Sequence, residues 1–152
     1  MIFDDEEVYL KGWHLHTPSE HVVEGVQSKA ELHLVHANCE GKERAVVGFR
    51  VDPGVSSSLF FEQWVEKVPS MKEESVVEME VDIGTVLKDT GMLRNFWTYE
   101  GSLTSPPCTE GIRWFVASEV LRIDIKQMTK LLESSMYSAR VIQGLWEQKV
   151  NM

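Results

Sequence analysis

Trp13-His14-Leu15-His16-Thr17-Pro18-Ser19-Glu20-His21, followed by Ala30-Glu31-Leu32-His33-Leu34-Val35-His36, is the stretch on which the reading turns. In both runs side chains of different character alternate, the period of a strand with two unlike faces. Thr17-Pro18-Ser19 ends the first run, because proline fixes φ and offers no N–H to a ladder. Residues i and i+2 of a strand project from one face, so His14 and His16 point the same way. In the second run Glu31, His33 and Val35 share one face, and Leu32, Leu34 and His36 share the other. Two adjacent strands therefore present His14, His16 and His33 together. Three neutral imidazoles with an open fourth position describe a catalytic zinc site. Glu31 stands two residues before His33 on the same face, placed to accept the other ring N–H and fix its tautomer. The ordinary alternative is a set of half-buried histidines hydrogen-bonded within a sheet. Against it, all 5 histidines lie between positions 14 and 36 and none elsewhere. His36 faces away from His33 by parity, and His21 follows the turn; for both a hydrogen-bonding packing role is expected.

Outward from this stretch the chain is rich in strands. Val8 to Leu15 and Ala30 to His36 are joined by Ala45 to Val51, which Asp52-Pro53-Gly54 ends, and by Gly111 to Ala117. Val77, Met79, Val81 and Ile83 alternate with Glu78, Glu80 and Asp82, which predicts a further strand with one wet face. Phe60, Trp64 and Val68 recur at four-residue spacing and predict a helix over 58–68, stopped by Pro69. A second helix is predicted from about Asp124, with Gln127 completing a capping-box-like pair and Met128, Leu131 and Leu132 forming one apolar face. The fold class expected is mainly β, a mostly antiparallel central sheet with peripheral helices. A length of 152 residues suits a single domain, 1–152, and 43% hydrophobic residues suffice for a core. The formal net charge of -9 opposes binding to nucleic acid and to anionic membrane surfaces. No apolar run approaches the roughly 20 residues that span a bilayer. Met1-Ile2-Phe3-Asp4-Asp5-Glu6-Glu7 has neither the basic nor the apolar region of a signal peptide, and leaves the compartment open. Cys39 and Cys108 show no metal-type spacing and are expected as two free or buried thiols.

The two histidine runs closely resemble the α-class carbonic anhydrases. A second block strengthens the likeness: Gly101-Ser102-Leu103-Thr104-Ser105-Pro106-Pro107-Cys108, then Glu110-Gly111-Ile112-Arg113-Trp114. The resemblance runs from about Tyr9 to about Gln143. It implies a zinc lyase that hydrates CO2 reversibly to bicarbonate and a proton, with hydroxide on the metal as nucleophile, and that binds sulfonamide-type inhibitors. It places His14, His16 and His33 as metal ligands, Glu31 as the support of His33, and Thr104 with its partner Glu20 as the catalytic pair. Val35, Val46, Leu103, Ile112 and Trp114 take the positions of the apolar wall beside the metal, and Arg140 and Gln143 fall in a structural C-terminal segment. A wall of this kind suits CO2, which is apolar. A threonine hydroxyl that donates to a carboxylate keeps only acceptor capacity, and so admits only a protonated partner.

Three departures accompany the likeness. Gly12 stands where the family has a glutamine supporting the first ligand histidine, and Val141 replaces a proline. Family members also carry further chain ahead of the equivalent of Met1. The chain therefore reads as roughly the C-terminal two thirds of such a domain, N-terminally truncated, with no histidine placed to shuttle protons. The competing expectation is a catalytically inactive carbonic-anhydrase-like fragment or binding module. His14-x-His16-x-x-x-Glu20 also matches the first metal motif of cupins, but the Pro-x-Gly that cupins place before a later histidine is missing ahead of His33.

Overall fold

Alternation of side-chain character builds the longest strands and also decides which face each one buries. A computed structural model of the chain describes residues 1–68, 77–145 and 148–152. Its strands are β1 (Ile2–Phe3), β2 (Glu6–Glu7), β3 (Tyr9–His16), β4 (Val22–Val23), β5 (Val26–Gln27), β6 (Ala30–Ala37), β7 (Glu43–Pro53), β8 (Phe96–Ser102), β9 (Glu110–Ala117) and β10 (Leu121–Ile123). The helices are α1 (Leu59–Glu62), α2 (Gly84–Asp89) and α3 (Ile125–Glu133), with 3-10 turns at Val65–Lys67 and Gly91–Leu93.

The central sheet runs β3-β6-β7-β9-β8, and β10 also pairs with β7. β3–β6, β6–β7 and β8–β9 are antiparallel, whereas β7–β9 and β7–β10 are parallel. The sheet is thus mixed, with antiparallel pairings in the majority. β6 occupies one edge of β7 over nearly its whole length. β9 and β10 therefore share the other edge, at Ala45–Gly48 and Val51–Pro53. One face of the sheet packs Leu32, Leu34, Val47, Phe49 and Val51 onto Phe60, Phe61, Trp64 and Met128. The opposite face carries His14, His16 and His33.

Three local expectations are corrected. The continuous helix over 58–68 is instead α1, a break at Trp64 (φ -140, ψ -26) and a 3-10 turn. Phe60 and Phe61 are both fully buried, and consecutive residues point about 100° apart on an α-helix. The segment turns so that both rings, and Trp64 beside Trp13, can enter the core. The strand expected over 77–83 forms no sheet pairing. Met79, Val81 and Ile83 nevertheless pack on the core while Glu78, Glu80 and Asp82 face outward or stay exposed. The alternation marked a buried side that, among the described residues, has no neighbouring strand to pair with. The capping-box pairing is also absent: Asp124 accepts from the backbone N–H of Lys126 and of Gln127, both at 2.8 Å. The Gln127 side chain turns inward instead. Its Oε1 accepts from Ser58 N–H at 2.9 Å and its Nε2 donates to Ser58 C=O at 3.0 Å.

This inward bracket makes Gln127 more important to stability than the cap. Gln127→Leu is expected to cost about 1–3 kcal/mol, because it leaves the buried Ser58 N–H without a partner while the Ser58 C=O keeps the Glu62 N–H. Asp124→Ala is expected to cost only about 1 kcal/mol. Urea unfolding of the two variants checks the order.

Candidate metal centre

Cross-strand register assembles the site in rows on one face of the sheet. His14 lies opposite His33, and His33 opposite Gly48. The next row on one side is Gly12, Val35, Val46, Trp114 and Tyr99; on the other side it is His16, Glu31 and Arg50. The apolar wall, the imidazoles and the supporting carboxylate are thus successive rows of one pleated surface.

The three imidazoles converge. Ring centroids are 4.9 Å apart for His14–His16, 5.2 Å for His14–His33 and 4.9 Å for His16–His33. One nitrogen from each lies within 4.8 Å of the others. His33 Nε2 donates to Glu31 Oε1 at 2.9 Å, which leaves the lone pair of Nδ1 for the cluster. His16 Nδ1 donates to Ser138 C=O at 3.0 Å, which leaves Nε2. That Nε2 is buried with no hydrogen-bond partner. A buried ring nitrogen without a partner, in a donor set of three imidazoles, fits a zinc ion well. His14 sits at the exposed rim.

Glu31 is fully buried and its carboxylate is saturated with donors. Oε2 accepts from the backbone N–H of Glu20 (3.0 Å) and His21 (2.9 Å), and Oε1 from His21 Nδ1 (2.5 Å) as well as His33. Burial alone would raise its pKa; the electrostatic attraction and hydrogen bonds of His21 and His33 outweigh that and hold it well below the ordinary value. With Nδ1 donating, His21 Nε2 accepts from the Tyr99 hydroxyl at 2.7 Å. Burial raises the Tyr99 pKa, which keeps that hydroxyl protonated. Gly48 lies beneath the carboxylate, where a Cβ would stand 2.9 Å from Glu31 Oε1. Only a residue without a side chain permits this approach.

The other expected residues divide. Val35, Val46, Leu103, Ile112 and Trp114 do form one apolar cluster, joined by Val116, Trp97 and Tyr99. Trp114 stacks on Tyr99, meets the His33 ring edge-on, and donates from Nε1 to Ser102 C=O at 3.0 Å. Glu20 reaches the cluster: its Oε2 lies 3.5 Å from His16 Nε2 and 4.0 Å from His33 Nδ1. Its Oε1 accepts from the backbone N–H of Arg140 at 2.7 Å, while Oε2 is buried without a partner. Thr104 lies in the loop that follows β8 and, among the described residues, makes no hydrogen bond with Glu20. His36 faces away as parity requires, with Nδ1 bonded to Leu34 C=O at 3.0 Å. Cys39 and Cys108 are free thiols. In the strap at 136–140 the resemblance had singled out Arg140, and residues 136–139 carried no signal of their own. It binds mostly through backbone groups, with Met136 C=O accepting from Thr17 Oγ1 and Ser138 N–H donating to Thr17 C=O, while Ser138 Oγ accepts from Thr17 N–H.

Residues 8–147 match the family model of eukaryotic-type carbonic anhydrases. The chain belongs to the carbonic anhydrase family. It is 32% identical over 136 residues to alpha carbonic anhydrase 3 of Arabidopsis thaliana, covering 88% of this chain and 48% of that protein. It superposes on the α-carbonic anhydrase of Thermovibrio ammonificans, solved with the inhibitor sulfanilamide, with TM-score 0.83 and 30% identity, covering 98% of this chain and 65% of that one. The Photobacterium profundum α-carbonic anhydrase gives TM-score 0.85 and 33% identity, with 98% and 67% covered. The chain spans about half the length of the Arabidopsis relative. Among the described residues, no helix is long and apolar enough to cross a membrane.

In the carbonic anhydrase fold this histidine cluster is hard to protonate. Partial burial, then the neighbouring imidazoles of His33 and His16, push His14 down from 6.5 to about 4. Burial and His33 lower His16 as well. The unfolded chain therefore binds more protons than the folded one between about pH 6.5 and about pH 4. Stability of the metal-free protein is expected to be complete above that window and to fall as pH drops through it. Thermal melts against pH, with His14→Asn flattening the slope, check this.

Proposed function

We propose that the chain catalyses the reversible hydration of CO2 to bicarbonate and a proton, with zinc held by His14, His16 and His33. The observation that carries this is the convergence of three imidazoles, one with a buried unpartnered nitrogen, against an apolar wall. Zinc, when bound, supplies the Lewis acidity that makes water a nucleophile near neutral pH.

The chain's own residues do the rest. Glu31 and the Ser138 carbonyl fix the tautomers of His33 and His16, so that the free nitrogens carry lone pairs. Val35, Val46, Leu103, Ile112 and Trp114 hold a dry surface that receives CO2 and excludes competing water. In this reading the Thr104 hydroxyl would turn to donate to Glu20, whose buried Oε2 lacks a donor. The Thr104 oxygen would then keep only acceptor capacity and would select and orient a protonated partner. The Arg140 backbone N–H holds the other carboxylate oxygen of Glu20 in place. Atoms balance as CO2 plus water giving bicarbonate plus a proton, which leaves to solvent. Sulfonamide-type inhibitors are expected ligands of this site, as sulfanilamide is of the Thermovibrio relative.

Elemental analysis of purified monodisperse protein is expected to give about one zinc per chain, with His33→Ala losing it and His36→Ala retaining it. Protein that stays unloaded after added zinc would remove the enzyme reading. In stopped-flow CO2 hydration, Thr104→Ala is expected to keep its zinc and lose roughly 100-fold in kcat/KM. Unchanged turnover would remove Thr104 from the mechanism.

A further inference from the structure

Two formal charges of opposite sign are buried side by side on the metal face of the sheet and do not bond to each other. Glu31 is 0% exposed and Arg50 is 5% exposed. They stand directly opposite one another on β6 and β7, in the row that also holds His16. All four hydrogen bonds to the Glu31 carboxylate come from backbone or imidazole N–H groups, none from Arg50. The Arg50 guanidinium reaches the other way along the face. Its Nη2 donates to Ser118 C=O at 2.9 Å, and its Cζ lies 5.3 Å from the ring centroid of Trp97, beside the apolar wall. Nε is buried without a partner, and among the described residues no carboxylate pairs with the group. Asp52, two residues on, is engaged by the Ser28 hydroxyl and the Lys29 N–H. Burial lowers the Arg50 pKa, and the carboxylates that oppose this are Glu31 first, then Asp52. A buried cation without a contact partner is costly beside an apolar wall, so packing does not account for it.

We propose that Arg50 is a positioning residue of the metal centre, acting by its charge through Glu31 on His33. This rests on the zinc reading. Cross-strand neighbours are close, and charges in a dry interior are weakly screened. A carboxylate with a fixed positive charge beside it is a weaker acceptor. It therefore draws less on the His33 Nε2 proton, and His33 presents a less basic Nδ1 to the cluster. Glu31 makes His33 a strong ligand, and Arg50 holds that strength down. Metal affinity is thereby traded for acidity at the centre.

Arg50→Met removes the charge and keeps an unbranched chain, whereas Arg50→Lys keeps the charge. In competition with a chelator, Arg50→Met is expected to bind zinc roughly 10-fold more tightly and Arg50→Lys to match the parent. A purely structural role predicts the opposite sign, weaker binding in both. In the metal-free protein, the His33 Nε2 proton is expected to move downfield by NMR in Arg50→Met, as its bond to Glu31 strengthens, and to stay in place in Arg50→Lys. Should Arg50→Met not fold, Arg50→Gln removes the same charge and is expected to give both changes. Unchanged or weaker zinc binding in the charge-free variant would overturn the inference, as would an equal change in Arg50→Lys. Protein that takes up no zinc would overturn the zinc reading, and an unmoved His33 proton would separately overturn this one.

Discussion

The site depends on a buried carboxylate. An ionised glutamate removed from water is costly unless every lone pair finds a donor. Glu31 meets that condition with two backbone N–H groups from the Glu20–His21 turn and two imidazole N–H groups. The four bonds reach into separate parts of the chain. They fix the turn after β3 against β6, aim His33 into the cluster, and through His21 tie β6 to Tyr99 on β8. Removing any one donor leaves charge exposed to an apolar surround, so the chain of residues behaves as a unit. Gly48 belongs to it by having no side chain, since any Cβ there would strike the carboxylate.

The same constraint sets the direction of every proton in the centre. A carboxylate only accepts, so His21 and His33 must donate to it. His33 then presents Nδ1, and His21 must accept from Tyr99. On the far side the Ser138 carbonyl, also only an acceptor, makes His16 present Nε2. Two of the three candidate ligands are therefore held in their tautomers by groups that cannot donate. The third, His14, has no ring hydrogen bond among the described residues and stands at the exposed rim.

Much of this was legible in the sequence because it is carried by parity. His14, His16, Glu31 and His33 sit at even spacings on two strands, and a pleated sheet turns such spacing into shared faces. The apolar wall was legible for the same reason in Ile112 and Trp114. What was not legible was carried by groups without a side-chain signature. Ser138 acts through its carbonyl and lies 122 residues from His16. Gly48 acts by lacking a side chain. Residues 77–83 show that alternation reports burial and not pairing: Met79, Val81 and Ile83 reach the core, but among the described residues no strand pairs with them. At Phe60–Phe61 helical spacing lost to the need to bury two adjacent rings.

The parallel pairing of β7 with β9 explains why the metal row and the apolar wall adjoin. A continuous run of hairpins would place each strand beside its sequence neighbour. Here the chain leaves β7, passes through α1, α2 and β8, and returns as β9 against the free edge of β7. That return sets Trp114 beside Val46 and one row from His33. The wall reaches the imidazoles from the middle of the sheet, where both neighbours hold it. β3 has no such support. It carries two of the candidate ligands, pairs among the described residues with β6 alone, and is bulged between Leu10 and Gly12. Its end at His16–Thr17 is secured instead by the backbone strap at 136–140. The strap reaches His16 and stops short of His14. The metal row thus runs from His33, buried in the interior, through His16, under the strap, to His14 at the exposed rim. That sequence of burial follows from sheet order and from where the chain returns.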